Sequence, residues 1–278
     1  MSEITQIFTC SPLAPVLHRV KISRGRIPSS VLNHPNKSLS DYMVRIITLS
    51  SGKGGTGKTL VTANLGVALA QLGKKTLVLD ADVTMANLGL VFGIEERKTN
   101  LHEVLSGGGA MKNLVYNGPA GLKIVPCGMS LDGIRRAKLE RLKNVVTKLA
   151  SGVDIMLIDS ASGLDHDAIT ALSVAQEVIL VVTPNFTAVA EATKIKVVAE
   201  RLSVKPVGVV INRATGERTD LSRNEIVAVL DLPVLGIIPE DAEVRRAAAL
   251  GEPVVTRSPK SPATKAFKEL ASKILKTH

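Results

Sequence analysis

The chemistry of this chain is concentrated in Gly52-Lys53-Gly54-Gly55-Thr56-Gly57-Lys58-Thr59, which matches G-x-x-x-x-G-K-[ST] in full. Glycines let main-chain N–H groups curl around phosphate oxygens, and a helix opening just after the loop adds the positive end of its dipole. Lys58 is placed to reach the β- and γ-phosphates, and Thr59 to ligate Mg²⁺. Lys53 shares the loop, and two ammonium groups five residues apart on a tight turn repel each other unless a polyanion lies between or beside them. The expected ligand is therefore a magnesium-bound polyphosphate.

Such a loop works only where a strand delivers it and a helix leaves it. The β-branched run 44–49 supplies the strand and the stretch 59–72 the helix. Further apolar runs at 76–79, 123–125, 155–158, 178–182, 207–211 and 234–237 alternate with amphipathic segments, the pattern of repeated β-α units. It predicts an α/β fold, a doubly wound and mainly parallel sheet with helices on both faces and its ligand at the strand C-terminal ends. Residues 43–278 read as one domain. Residues 1–42 hold Pro12, Pro15, Pro28 and Pro35 and keep no period, so they read as a disordered arm. Because Met43 directly precedes the first strand, a start codon placed too far upstream would explain the arm equally well.

Composition narrows the function. No run approaches the ~18 apolar residues of a membrane span. Cys10 and Cys127 suggest neither a disulfide framework nor a zinc site, and with an N-terminus lacking a basic, then apolar, leader they point to a reducing cytoplasm. Aromatics at 2% and no Trp argue against base-stacking recognition of single strands. Of the net charge of +10, five units come from the tail, where Arg257, Lys260, Lys265, Lys268, Lys273 and Lys276 face only Glu269.

Three strand ends carry polar groups. The run 76–79 leads into Asp80-Ala81-Asp82, and 155–158 into Asp159-Ser160-Ala161-Ser162-Gly163. A carboxylate in such a position can orient water beside Mg²⁺ and a γ-phosphate, or simply cap the next helix. The run 207–211 leads into Asn212-Arg213-Ala214-Thr215; guanine-specific proteins use N-K-x-D there, and Thr215 cannot accept two guanine N–H bonds, so adenine is favoured. His166, within Asp165-His166-Asp167, reads as part of a solvated helix cap rather than a base.

Lys53–Thr59, read as K-G-G-x-G-K-T, resembles the deviant Walker A ATPases of the MinD/ParA family. The likeness is closest to the archaeal MinD type, through Asp82-Val83-Thr84-Met85-Ala86-Asn87-Leu88 and Pro239-Glu240-Asp241-Ala242-Glu243-Val244-Arg245-Arg246, and it spans nearly all of 43–278. The resemblance implies that Lys53 reaches across a homodimer to the partner's nucleotide and that Asp82 positions the attacking water. It implies that Asp159 holds the Mg²⁺ shell together with Thr59 and Asp82, and that Gly163 brings its N–H to the γ-phosphate. Asn212 would bind the base, Arg213 would stack beside it, and Pro239 and Glu240 would close over adenine. Leu60, where the family has a Thr touching the α-phosphate, and Ala161, where it has Pro, are departures. The iron-sulfur branches need paired cysteines absent here.

The implied function is an ATPase that dimerises on ATP and uses hydrolysis as a switch for placing the division site or related machinery, with a regulatory protein partner. A ParA-like partition ATPase on DNA and a nucleotide-regulated interaction module with little turnover are the alternatives. In the tail, Phe267, Leu270, Ala271, Ile274 and Leu275 share one helical face. That face either packs as the last helix of the domain or helps the lysines meet an anionic membrane or DNA, which would make a cytoplasmic protein peripheral at the membrane when ATP-bound.

Overall fold

The computed structural model describes residues 44–94 and 99–277, and the arm expected at 1–42 lies outside them. β1 (Arg45–Ser50) is buried along its whole length. A strand covered on both faces sits inside a sheet, and β1 pairs in parallel with β5 (Ile155–Ser160) on one side and β6 (Glu177–Val182) on the other. β5 pairs onward with β2 (Thr76–Ala81), β2 with β4 (Lys123–Val125), β6 with β7 (Lys205–Ala214) and β7 with β8 (Val234–Pro239), all parallel. β3 (Tyr116–Asn117) closes one edge antiparallel to β4, giving the order β3-β4-β2-β5-β1-β6-β7-β8. The expected doubly wound architecture is thus present. β3 was not foreseen, because two residues carry no period, and several strands run past their expected ends: β2 to Ala81, β5 to Ser160, β8 to Pro239 and β7 through Asn212, Arg213 and Ala214.

Side chains alternate along the strands, so each strand feeds two cores. Ile47, Leu49, Ile155, Leu157, Ile179 and Val181 join α1 (Lys58–Gln71), α10 (Val254–Arg257) and α11 (Pro262–Lys276) on one face. Ile46, Met156 and Ile158 meet α3 (Leu101–Ser106), α5 (Leu142–Leu149) and α6 (His166–Ser173) on the other. Further along that face, Val178, Leu180 and Val182 meet α7 (Phe186–Arg201) and α8 (Arg223–Leu230). The short α2 (Leu88–Val91) and α4 (Leu131–Arg136), with α9 (Ala242–Ala249), complete the α-helices among the described residues.

Phe267, Leu270, Ala271 and Ile274 are buried in the first core, so the apolar face of α11 is spent inside the protein and its lysines remain outside. Asn64, fully buried in α1, donates to the Leu60 carbonyl and accepts from Val255 N (3.1 Å), tying α1 to α10. Among the described residues no helix is long and apolar enough to cross a membrane.

Candidate active site

The glycine loop leaves β1 and enters α1, whose N-cap, Gly57, has no side chain to satisfy the first helical N–H groups. Those donors are open to a ligand. Gly55 and Gly57 have φ of +82° and +81°, a conformation that costs other residues free energy. A Cβ on Gly57 would stand 2.3 Å from Asn212 Nδ2, and one on Gly52 would stand 2.4 Å from Glu191 Cβ on α7. Gly54 meets nothing within 4 Å. Three of the four glycines are therefore required by the fold of the loop, each for its own reason.

Lys58 begins α1 and points down rather than out. Its Nζ lies 2.7 Å from Asp159 Oδ1, and both side chains are almost wholly buried. Thr62, one turn further along α1, donates to the same oxygen at 3.1 Å, while Asp159 Oδ2 is buried without a hydrogen-bond partner. Asp80 is completely buried, and desolvation first, then the neighbouring Asp159, pushes its carboxyl up to about 8. It accepts from Asp82 N and Leu88 N and so brackets the loop after β2. Half-buried Asp82 is likewise raised by desolvation, and its Oδ1 caps the turn by accepting from Met85 N (2.9 Å).

Loop residues Gly54–Leu60, Asp82, Thr84 and Ala161 line one cavity of about 750 Å³, which also takes in the first turn of α6. Leu60 both lines it and packs on the first core. His166 is the exposed first residue of α6, in keeping with a solvated helix start. Gly163, at φ +83°, donates its N–H to Ser51 O (2.9 Å), joining the loop after β5 to the glycine loop.

A second cavity of about 660 Å³ adjoins the loop and holds Lys53, Arg213, Thr215 and Glu240. Lys53 Nζ rests 3.2 Å from Thr187 Oγ1 at the start of α7. Buried Asn212 donates to Thr56 O at 2.7 Å and so pins the glycine loop from beneath. Arg213 adopts φ +58°, pairs with Glu240 (2.8 Å) and reaches toward Gly55 O (3.5 Å). Glu240 follows Pro239, the last residue of β8, and its N–H bonds Ala214 O. Of the site residues singled out from sequence, Gly52–Leu60, Asp82, Asp159, Gly163, Asn212, Arg213 and Glu240 gather around one loop, while Pro239 reaches it only through its neighbour Glu240. Thr62 and Ser51 were not among them; Thr62 was legible in principle, since a residue four after Lys58 lies on the same helical face.

A glycine cradle between a central parallel strand and a helix, with a lysine over a buried aspartate at the next strand end, defines a P-loop nucleotide-binding protein. A family model described as the CobQ/CobB/MinD/ParA nucleotide binding domain matches residues 47–254, and the chain belongs to that family. It is 43% identical over 233 residues to an ATP-binding protein of Methanocaldococcus jannaschii, covering 84% of this chain and 88% of that one. Among solved structures it is similar to the septum site-determining protein MinD of Pyrococcus horikoshii complexed with Mg-ADP (36% identity, TM-score 0.81, 84% of this chain and 96% of that one). It is equally similar to the cell division ATPase MinD of Pyrococcus furiosus (36%, TM-score 0.82, 85% and 100%).

Proposed function

We propose that this chain binds Mg²⁺-ATP, pairs with a second copy around the nucleotide, and hydrolyses ATP as a switch that places the division site or related machinery. The observation that carries this reading is the Lys58–Asp159 pair at the base of the cradle, with one carboxylate oxygen left unpartnered. Apolar residues can replace a buried ion pair without loss of stability. Its presence here therefore suits a place that receives a polyanion and a hard cation. The cell-division ATPase among the Pyrococcus relatives supports the same reading.

Magnesium fits the donors. Thr59, Asp82 and Asp159 offer oxygen, and among the described residues no three His, Cys, Asp or Glu cluster into a protein cage. That suits an ion which keeps waters and phosphate oxygens as ligands. Bound there, the ion neutralises charge on the phosphates. Lys58 reaches the β- and γ-phosphates, the Gly52–Thr59 amides hold their oxygens, and Asp82 orients water in a half-buried setting. Transfer of the Gly163 N–H from Ser51 O to the γ-phosphate couples the loop after β5 to nucleotide state. Ala161 in place of Pro loosens that loop, and Leu60 leaves the α-phosphate without a side-chain hydroxyl. Lys53, at the rim beside α7, extends to the partner's nucleotide; by analogy with arginine fingers this is worth ~10³–10⁵ in rate. Asn212, Arg213, Pro239 and Glu240 form the adenine side of the site.

The outer face of α11 is the candidate attachment surface. Lys260, Lys265, Lys268, Lys273 and Lys276 line a shallow groove there together with Glu269, and Lys273 Nζ is held on Val234 O (2.6 Å). Near anionic lipid each contributes about 1 kcal/mol, and a dimer presents two such faces. Contact therefore proceeds through charge, peripheral to a membrane and alongside a regulatory protein; on the ParA-like reading the same face meets DNA.

Phosphate release from the unmodified protein and Asp82→Ala, with and without anionic vesicles or DNA, tests hydrolysis; equal rates would remove Asp82 from the chemistry. Sizing Lys53→Ala beside the unmodified protein in Mg²⁺-ATP tests pairing, with a dimer expected only for the latter.

A further inference from the structure

The loop between β2 and α2 carries Asp82, Thr84 and Met85 along the cavity wall. Most of its hydrogen bonds stay local: Met85 N to Asp82, Asn87 to Met85 O, and Asp82 N and Leu88 N to Asp80. Thr84 reaches Asp167 at the surface. Val83 differs. Its side chain is buried in the second core, and its carbonyl oxygen lies 2.8 Å from His102 Nε2 in a buried contact between residues 19 apart.

His102 belongs to α3 and is 1% exposed. A carbonyl can only accept, so Nε2 carries a hydrogen and donates it to Val83 O. Nδ1 is buried with no hydrogen-bond partner. A Cβ on either Gly128 or Gly133 would come within 2.6 Å of it, so two glycines open the slot that admits the ring. The ring stands on a frame outside the loop, because Leu101 N bonds Pro126 O just beyond β4. A leucine would fill an apolar slot without burying an unpartnered ring nitrogen. What histidine adds is its grip on the Val83 carbonyl.

We propose that His102 is a positioning residue: by holding the Val83 carbonyl it fixes the loop and sets where Asp82, one residue earlier, presents its carboxylate. The catalytic consequence rests on the reading of Asp82 given above, whereas the tether does not. The test uses three variants of the full chain. His102→Gln places an amide N–H at about the reach of Nε2, His102→Asn falls one methylene short, and His102→Leu removes the donor.

Hydrogen exchange across 82–88 in nucleotide-free protein should rise about tenfold in the Leu and Asn variants and return toward the original rate in Gln, with β1 and β6 unchanged. ATP turnover should show kcat down about tenfold in Leu and Asn, about 1.4 kcal/mol, with KM within about twofold and recovery in Gln. Unchanged exchange in Leu, or a Gln variant that behaves like Leu, overturns the tether. Exchange rising throughout the chain, with kcat and KM both impaired, would make His102 a packing residue and overturn the positioning role. No turnover in the unmodified protein would refute the hydrolysis reading and the catalytic half of this inference, while the exchange series still decides the tether.

Discussion

Replacing Gly57 by alanine should damage the nucleotide-free protein, whereas the same change at Gly54, three residues earlier, should not. At Gly57 the new Cβ meets a left-handed backbone, φ +81°, which costs about 1–2 kcal/mol for an L-residue. It also stands 2.3 Å from Asn212 Nδ2, too close to coexist, so the amide must leave the buried 2.7 Å bond to Thr56 O. Stranding those buried polar groups costs about 1–3 kcal/mol more. The sum, about 2–5 kcal/mol, corresponds to a fall in Tm on the order of 10 °C for a chain of this size. At Gly54 there is no positive φ and no atom within 4 Å, so alanine should change stability by less than about 0.5 kcal/mol. Differential scanning calorimetry without nucleotide compares the two directly. Equal destabilisation would refute the account of which glycines the loop's shape requires, because ligand contacts play no part in that measurement.

Lys58→Met should cost about 3–5 kcal/mol in chemical denaturation at neutral pH, since it leaves the Asp159 carboxylate buried without its counter-charge, and adding Asp159→Asn should recover much of the loss. A double variant no more stable than Lys58→Met would count against that pairing. Glu225 closes a capping box with Ser222 at the start of α8, and its hydrogen bonds to Ser222 hold its carboxyl below the usual range. A carboxyl depressed on folding contributes stability that is present above its unfolded value and lost as pH falls through the folded one. The difference in Tm between the unmodified protein and Glu225→Gln should therefore shrink on acidification from neutral pH; a constant difference would deny the capping carboxylate its role.

The central sheet was legible in the sequence because strands buried on both faces, such as β5 with Ile155–Ile158 and β6 with Val178–Val182, are written as continuous apolar runs. The glycine loop was legible because its spacing, the strand before it and the helix after it coincide. What escaped were relations between distant residues. Nothing local to Gly52 or Gly57 says that Glu191 and Asn212 approach them. Asn212 was read only as a base-binding residue, whereas the contact the structure shows is its bond to Thr56 O. His102 drew no attention because a lone histidine in an apolar helix carries no pattern; its contact with Val83 exists only after α3 has folded back on the end of β2. The tail could be read both ways from its apolar face, and burial of Phe267 and Ile274 decides for packing.

Asn64 has a mechanical consequence. α1 spans 14 residues, about 21 Å, from the cradle at its first turn toward the far end of the sheet. Along it, the Asn64 amide clamps α10, while α11 lies against it through Phe267 and its neighbours in one close-packed interior. The helix that leaves the cradle thus shares one block with the helix that carries the basic outer flank, joined through the Asn64 bond and the common core rather than through loops alone.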